Sequence, residues 1–386
     1  MPRTTFGIPK PRIRIMDVIK LLTAIDFSLE SQGLLGQSQS ACSITWQEGK
    51  LVDQGVVFIS SEDNSFKGAL GIHDIDLICS AFDHSARNNL PVIFYLNSSG
   101  AKLDDGVAIQ ASFRKLIKKA MEFKFSGGNL LFLLGRNVFG GASMLAMSGA
   151  ARLYSDNTRV SMTGPRVLEV SDRDSKEYVE SVISRASRVK ADPGAIHLDG
   201  DGVKDVGELL RCALFSCEAR CYEEFFSLSR MVGREGFSSE RVVVKPEGIS
   251  CTGNEPPTPV DLLTLISAID SWSLGDVIKI YCEWSSHSIL AKHEESFQSK
   301  LLYMLSEAMY KKRKSGNNIV CYLMENISGG LYISLSSGSD EIYAKDGVEV
   351  ESLPSQIIST IKKNEKSSIS SNVPCLLKAG VIDGYF

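Results

Sequence analysis

Two stretches of this sequence, far apart along the chain, follow the same pattern. The first reads SGGNLLFLL (126–134) and leads into FGGA (139–142), and the second reads SGNNIVCYL (315–323) and leads into SGGL (328–331). The asparagines Asn129 and Asn318 are 189 positions apart, as are the first glycines of each pair, Gly140 and Gly329, so the match has no gap. A repeat of this length is too long for a solenoid unit and indicates two copies of one domain.

Short apolar runs alternate with helical patterns in both copies. The runs are 56–60, 92–96, 130–134, 277–282 and 319–323, and the helical patterns include 107–123 and 295–312. This alternation is typical of βα units with a largely parallel sheet. Because 386 residues exceed what one hydrophobic core usually supports, the sequence predicts two α/β domains.

A proline-rich segment predicts where the two domains join. Residues 246–259 contain four prolines and two glycines, which interrupt helices and central strands. We therefore expect an N-terminal domain over 1–245, a linker over 246–259 and a C-terminal domain over 260–386.

Composition argues against several classes of protein. The net charge of −4 is not that of a general nucleic-acid binder. No apolar run approaches the ~18 residues of a membrane span, and the basic segment 1–16 lacks the apolar core of a secretory signal. Nine cysteines without a CxxC pair favour reduced thiols over a zinc site. We expect a cytoplasmic protein that binds neither nucleic acid nor membrane and holds no metal.

In each copy a buried strand ends, the chain turns, and a Gly-Gly pair opens a helix. A helix N-terminus presents unpaired N–H groups, and glycine allows a ligand to approach the backbone closely. N–H groups from this turn and from an earlier serine-containing loop can converge on one oxygen, which would form an oxyanion hole. The predicted donors are Gly140 and Gly141 with Gly100 or Ala101 in the first half, and Gly329 and Gly330 with Ser286 or His287 in the second. The alternative is that Gly-Gly serves only as a tight strand-to-helix connection.

Seven motifs, in order along the chain, carry a resemblance to a known family. They are SFKGALG (65–71), LNSSGAKLDDG (96–106), FGGAS (139–143) and TGPRVLE (163–169) in the first half, and WSSHS (284–288), KHEE (292–295) and ISGGL (327–331) in the second. The first half resembles the β subunit of biotin-independent malonate decarboxylase, a relative of acyl-CoA carboxyltransferases, and the second half resembles its γ subunit. The chain departs from the family pattern at Asn97, Ser99, Lys102 and Arg166, and at His287, where the family usually has glutamine.

The resemblance implies a fold of two tandem crotonase/ClpP-like (carboxyltransferase-type) ββα-superhelix domains, of class α/β. It also implies decarboxylation of a malonyl thioester on the pantetheine-type arm of an acyl carrier protein, without a cofactor on this chain. One hole would hold the thioester oxygen and the other the departing carboxylate. Expected partners are that carrier, an acyl-carrier transferase subunit and further copies of this chain. The residues expected to contact the substrate are Ser99, Phe139, Gly164, Pro165 and Ser328.

Single residues suggest candidate proton donors and alternative activities. His287, with an ordinary pKa near neutrality, is a candidate proton donor, and Tyr332 is a second candidate for which packing is the favoured explanation. Alternative activities are biotin-linked carboxyl transfer, a hydration or isomerisation that would use Glu169 or Glu295, and a non-catalytic binding subunit.

Three groups of residues outside the Gly-Gly motifs also invite a functional interpretation. Two basic clusters, Lys311–Lys314 and Lys115 with Lys118 and Lys119, predict solvated helix surfaces or a contact with an acidic carrier protein. Cys212, Cys217 and Cys221 are expected to be buried thiols, and 197–202 a polar turn.

Overall fold

The computed structural model describes residues 43–51, 54–61, 68–171, 173–196, 238–273, 275–353 and 373–386. The three cysteines at 212, 217 and 221, the turn at 197–202 and the N-terminal segment 1–16 lie outside these residues.

The first half forms one mixed sheet, which comprises seven strands within the described residues. These are β1 (Ile44–Leu51), β2 (Gln54–Ser61), β3 (Val92–Ser98), β4 (Leu130–Phe139), β5 (Ala151–Tyr154), β6 (Arg159–Ser161) and β7 (Ala195–Ile196). The order is β1-β2-β3-β4-β5-β7, and β6 pairs with the far end of β4. The hairpin β1–β2 is antiparallel, whereas the pairs from β2 onward are parallel. The connecting helices are α1 (Ile72–Asn88), α2 (Ala108–Phe125), α3 (Gly141–Ala146), α4 (Pro165–Ser171), α5 (Lys176–Ile183) and α6 (Arg185–Ala191).

The second half repeats this topology. Its strands are β8 (Val242–Lys245), β9 (Gly248–Cys251), β10 (Val277–Cys282), β11 (Asn318–Leu323), β12 (Ile327–Ser328), β13 (Glu341–Ala344), β14 (Val350–Glu351) and β15 (Gly384–Tyr385). The order β8-β9-β10-β11-β13-β15 is that of the first sheet strand for strand, and the pair β12–β14 corresponds to the pairing of β4 with β6. The helices are α7 (Pro259–Asp270), α8 (Ala291–Glu294), α9 (Gln298–Lys314), α10 (Gly329–Gly338) and α11 (Val373–Lys378). The predicted α/β class and its repeat are confirmed, and the arrangement is that expected of two tandem crotonase/ClpP-like domains.

The boundary between the halves differs from the predicted linker. Strand β9 lies inside 246–259, and its antiparallel partner β8 precedes that segment. Pro246 lies in the turn between β8 and β9. In the later part of the segment, Thr258 caps α7 and Pro259 occupies its first turn, a position that needs no backbone N–H donor. The second sheet therefore begins at Val242.

The two halves share one hydrophobic core. Helix α9 is buried at every residue from Gln298 to Tyr310, with only its last turn more exposed, and α10 is buried throughout, so neither has the polar face of a surface helix. Helix α10 packs on α2 of the first half, and α9 packs on α3. The hydroxyls of Ser143 on α3 and Ser299 on α9 lie 2.6 Å apart. The contact between the halves therefore forms within one chain.

A buried carboxylate adds an ionic contact between the halves. Glu307 on α9 accepts a hydrogen bond from Lys124 at the end of α2, with 2.7 Å between Nζ and Oε1. Burial alone would raise the pKa of Glu307, but the nearby Lys124, Lys311 and Lys300 lower it to about 2. The ionised form is therefore favoured in the folded protein.

Replacing Glu307 with glutamine is expected to destabilise the protein in a pH-dependent way. The folded pKa lies below the ordinary value of 4.5, so the stabilisation is complete above that value and is lost as the pH falls towards about 2. At 1.36 kcal/mol per pKa unit it amounts to roughly 3 kcal/mol at neutral pH. Urea unfolding of both proteins between neutral and acidic pH measures the difference. A difference that did not shrink in acid would contradict the assignment. Glu122→Gln, which removes an exposed partner of Lys119, serves as the control and should cost less than about 1 kcal/mol.

Candidate active site

The first turn (Phe139–Gly141) joins strand β4 to helix α3. Gly140 has φ 60° and ψ −140°, a conformation that side chains rarely adopt, which explains the need for glycine at this position. Its N–H donates to the carbonyl of Ser161 at 3.1 Å, while its carbonyl accepts from the N–H and hydroxyl of Ser143. The turn is therefore held rigidly between β6 and the first turn of α3.

The first loop (98–101) follows β3 and meets the first turn. Gly100 has φ 110°, and a Cβ atom added to it would lie 3.3 Å from the carbonyl oxygen of Phe139. A Cβ on Gly140 would in turn lie 3.5 Å from the Cα of Gly100. The chain thus brings the two predicted donor segments into backbone contact, and a Cβ atom on Gly100 would crowd that contact.

The hydrogen bonds distinguish among the four predicted donors of the first half. The Gly100 N–H donates to the hydroxyl of Ser98 at 3.1 Å, and the Gly140 N–H is also used, as described above. Within the described part of the chain, no hydrogen bond uses the N–H of Ala101 or of Gly141. Ala101 pairs with Leu70 in a parallel bridge whose bonds involve its neighbours, so its own N–H faces away from Leu70. These two N–H groups are the available donors of the first half.

The second turn (Ser328–Gly330) has the same backbone but a different occupant. Gly329 has φ 60°, as Gly140 does, and Ser328 forms a parallel bridge with Ser286 in the second loop (285–288). The Gly330 N–H donates to Nδ1 of His287 at 3.1 Å. A Cβ on Gly329 would lie 2.6 Å from the imidazole Cε1, so the ring rests against the glycine backbone. The imidazole therefore covers the position that a ligand oxygen would take at Gly330.

Burial fixes the charge of His287. The side chain is 1% exposed, and its loss of hydration lowers the pKa to about 4. A ring that is neutral at physiological pH does not supply the proton of an imidazolium. The acid role expected of His287 is thus replaced by that of a neutral hydrogen-bonding group.

A first-half segment reaches the second turn and its loop. Met162 lies against the second turn, because a Cβ on Gly330 would come within 2.5 Å of its Cε. The next residue, Thr163, donates its N–H to the Glu294 carboxylate at 2.9 Å, and its hydroxyl reaches the Ser288 carbonyl at 3.5 Å. Gly164 and Pro165, predicted to contact substrate, follow directly and start α4. The predicted substrate contacts Gly164 and Pro165 therefore lie where the two halves meet.

The buried pair Arg188–Glu294 supports that junction. Arg188 donates to the Glu294 carboxylate at 3.3 Å and to its backbone carbonyl at 2.7 Å, and both side chains are fully buried. Burial raises the pKa of Glu294 to about 7 against the opposing effect of Arg188. Sequence reasoning named Glu294 only as part of a motif and missed its partner, 106 positions away.

The side chains of four further predicted residues are packed or hydrogen-bonded within the fold. Phe139 is buried beneath the Arg159 guanidinium, and Ser328 is buried with its N–H on the Ser285 carbonyl. Tyr332 is fully buried, its hydroxyl donates to the Val381 carbonyl, and its pKa is raised to about 12, so it packs rather than donates protons. The Glu295 carboxylate accepts from the Tyr178 hydroxyl at 2.7 Å on the surface.

The basic clusters are largely paired. Lys115 contacts Asp76, Lys119 contacts Asp83 and Glu122, and Arg313 contacts Asp340. A cavity of about 690 Å³ beside Arg313 and Lys314 lies where β4 and β11 begin, at the opposite end of these strands from the Gly-Gly turns. The pairing favours the interpretation of these clusters as solvated helix surfaces.

Two features are absent from the described residues. Among them there is no cluster of three His, Cys, Asp or Glu side chains suited to a metal ion. In the same part of the chain, none of the helices combines the length and apolarity needed to cross a bilayer.

Comparison with known proteins gives distant relatives. No protein-family model matches the chain. The acetyl-coenzyme A carboxylase carboxyl transferase subunit beta of Desulforudis audaxviator is 25% identical over 144 residues, which are 37% of this chain and 51% of the relative. The subunit of the same name from a Psychrobacter species is 25% identical over 131 residues, 34% of this chain and 40% of the relative. The chain spans about half the length of the curated relatives it matches.

Solved structures give similarly distant matches. A Pseudomonas malonate decarboxylase heterotetramer in complex with malonate aligns with a TM-score of 0.44 and 20% identity, over 55% of this chain and 81% of that chain. A transcarboxylase 12S structure with methylmalonyl-coenzyme A bound aligns with a TM-score of 0.39 and 13% identity, over 89% of this chain and 79% of that chain. The fold is defined by the strand orders β1-β2-β3-β4-β5-β7 and β8-β9-β10-β11-β13-β15.

Proposed function

We propose that this chain decarboxylates a malonyl group carried as a thioester on an acyl carrier protein. The observation that supports this proposal is the pair of unused N–H groups on Ala101 and Gly141, which belong to two segments in backbone contact. Decarboxylation breaks the bond between the carboxylate carbon and the α-carbon, and the electron pair passes into the thioester as an enolate. Negative charge then develops on the thioester oxygen, where fixed N–H donors stabilise it. Protonation of the α-carbon by solvent completes the conversion to the acetyl thioester and CO2.

The alternative activities make demands that the described site meets less well. Hydration or isomerisation needs an acid/base carboxylate beside the hole, but Glu295, one of the two candidates, is engaged with Tyr178 on the surface. Carboxyl transfer through biotin is supported by the names of the curated relatives. That reaction has a second carbonyl, the biotin ureido group, to polarise. The Gly330 N–H that would serve it already donates to His287. Decarboxylation needs one oxyanion hole, for which the N–H groups of Ala101 and Gly141 are the candidate donors.

Mass spectrometry of a malonyl-loaded acyl carrier protein, incubated with the purified chain, tests this proposal, with malonyl-CoA in parallel. We expect the loss of one CO2 from the thioester in the absence of biotin. A dependence of that loss on added biotin carrier would favour the carboxyltransferase instead. Intact malonyl thioester on every carrier would favour a binding subunit.

A further inference from the structure

We infer that His287 has taken over the donor function of the second turn, and that its Nε2–H binds the carboxylate of the acyl group. This inference deepens the proposed function and rests on it for the identity of the ligand. The Gly330 N–H, His287 and the ligand oxygen would form a short relay of hydrogen bonds.

The tautomer of His287 follows from its hydrogen bond. A backbone N–H is only a donor, so Nδ1, which lies 3.1 Å from the Gly330 nitrogen, must be an acceptor. The neutral ring then carries its proton on Nε2. The positive end of the α10 dipole lies at Nδ1, which opposes a second proton there, and burial acts in the same direction.

The Nε2–H is a donor without an acceptor. Among the residues that the structure describes, this atom is buried and makes no hydrogen bond. A buried donor left unpaired costs about 1–3 kcal/mol, so such atoms are rare unless water or a ligand completes them. The ring cannot turn away without exposing the Gly330 N–H to the same cost.

The repeat shows what the histidine replaces. Position 287 corresponds to Gly100 of the first half, at a separation of 187 residues. In the first half the turn keeps its Gly141 N–H unused, whereas in the second half the equivalent Gly330 N–H is covered. The two halves thus offer different donors, two backbone N–H groups in one and a single imidazole N–H in the other.

A neutral donor suits a carboxylate that must depart as CO2. An arginine or lysine at this point would hold the carboxylate in the ground state through a charge-assisted bond about twice as strong as a neutral one. Binding of that kind favours substrate over transition state and slows the chemical step. A single neutral N–H orients the carboxylate at lower cost to its departure.

Binding of two CoA thioethers tests the inference without catalysis. S-(2-carboxyethyl)-CoA has the length of a malonyl group but has CH2 in place of the thioester carbonyl, so it forms no enolate, and S-propyl-CoA lacks only its carboxylate. We expect His287→Leu to weaken the binding of carboxyethyl-CoA about 10- to 100-fold, which is the effect of losing a hydrogen bond to a charged group. The affinity for propyl-CoA should not change. His287→Gln should bind both almost as the original chain does, because its amide accepts from Gly330 and donates onward.

Two further measurements show whether the His287 ring donates a hydrogen bond to the ligand or only blocks the second turn. The ¹⁵N resonances of His287 should show a protonated Nε2 and an unprotonated Nδ1, and the Nε2 resonance should shift with carboxyethyl-CoA but not with propyl-CoA. His84→Gln is the matched control, because that imidazole bonds to Glu48 outside both turns and loops and its replacement should leave both affinities unchanged. In the decarboxylation assay His287→Leu should raise KM with kcat altered less than about threefold.

The inference is overturned if carboxyethyl-CoA does not bind, if His287→Leu weakens both ligands equally, or if His287→Gly improves carboxyethyl-CoA binding. The last result would identify the ring as a plug of the second turn. A carboxylate-dependent shift of Nε2 in a chain that leaves malonyl thioesters intact would refute the proposed decarboxylation and keep the carboxylate site. Decarboxylation that His287→Leu leaves unaffected would refute the carboxylate site and keep the proposed decarboxylation.

Discussion

Decarboxylation by Gly141→Pro is expected to be about 10²–10³-fold slower than by Gly141→Ala, the effect of removing one oxyanion-hole donor. Proline lacks the N–H that Gly141 presents, yet it suits the first position of a helix, where no intrahelical bond is lost. Both variants introduce a Cβ atom 2.5 Å from the Phe113 ring, so the steric strain is common to the pair and the N–H is the main difference.

The comparison is best made in a Phe113→Ala background, which makes room for the new atoms. Single-turnover measurements with malonyl-loaded carrier protein give the rate constant of the chemical step, free of product release. Equal rates for the proline and alanine variants would show that the Gly141 N–H is not a donor to the transition state. The thermal midpoints of the two proteins, measured alongside, show whether both fold alike.

Asp192→Ala is expected to lower the free energy of unfolding by about 3–5 kcal/mol, because it leaves a buried guanidinium without its partner. Arg152 donates to the two carboxylate oxygens of Asp192 at 2.5 and 2.6 Å, and both side chains are 0% exposed. The Tyr154 hydroxyl and the Gly194 N–H donate to the same carboxylate. Burial alone would raise the pKa of Asp192, but Arg152 outweighs it and holds the pKa below its ordinary value.

Urea unfolding measures the loss, and a double-mutant cycle tests its cause. If an unpaired Arg152 charge is responsible, Arg152→Leu combined with Asp192→Leu should be less destabilised than either single leucine variant, since replacing a whole buried pair is often near neutral. Losses that simply add would contradict this explanation. Asp83→Ala, which breaks an exposed contact with Lys119, should cost less than about 1 kcal/mol.

The elements that the sequence predicts well are those set by local pattern. The apolar runs at 92–96, 130–134, 277–282 and 319–323 all lie in strands, because buried parallel strands need continuous apolar segments. The repeat of Gly140-Gly141 at Gly329-Gly330 correctly predicts two identical turns, since a positive φ before a helix start restricts the position to glycine. Strand β9 was missed because its four residues are too few to give a pattern among neighbouring prolines and glycines.

The sequence predicted a set of candidate N–H donors for the site but did not determine which of them are available. Motif matching could not choose between Gly100 and Ala101, because the choice depends on the Ser98 hydroxyl and on pairing with Leu70. The pairs Arg152–Asp192 and Arg188–Glu294 join residues 40 and 106 positions apart, and such separations leave no local signal.

By itself the sequence determined the α/β class, the repeat and the two Gly-Gly turns, because periodicity, β-propensity and glycine's backbone freedom act within a few neighbouring residues. Tertiary structure alone decided which N–H groups stay unused in the first half and that the His287 ring covers Gly330 in the second. The physical reason is that hydrogen bonding and burial depend on distances between segments that only the folded chain brings together, so two turns of the same local sequence acquire different chemistry.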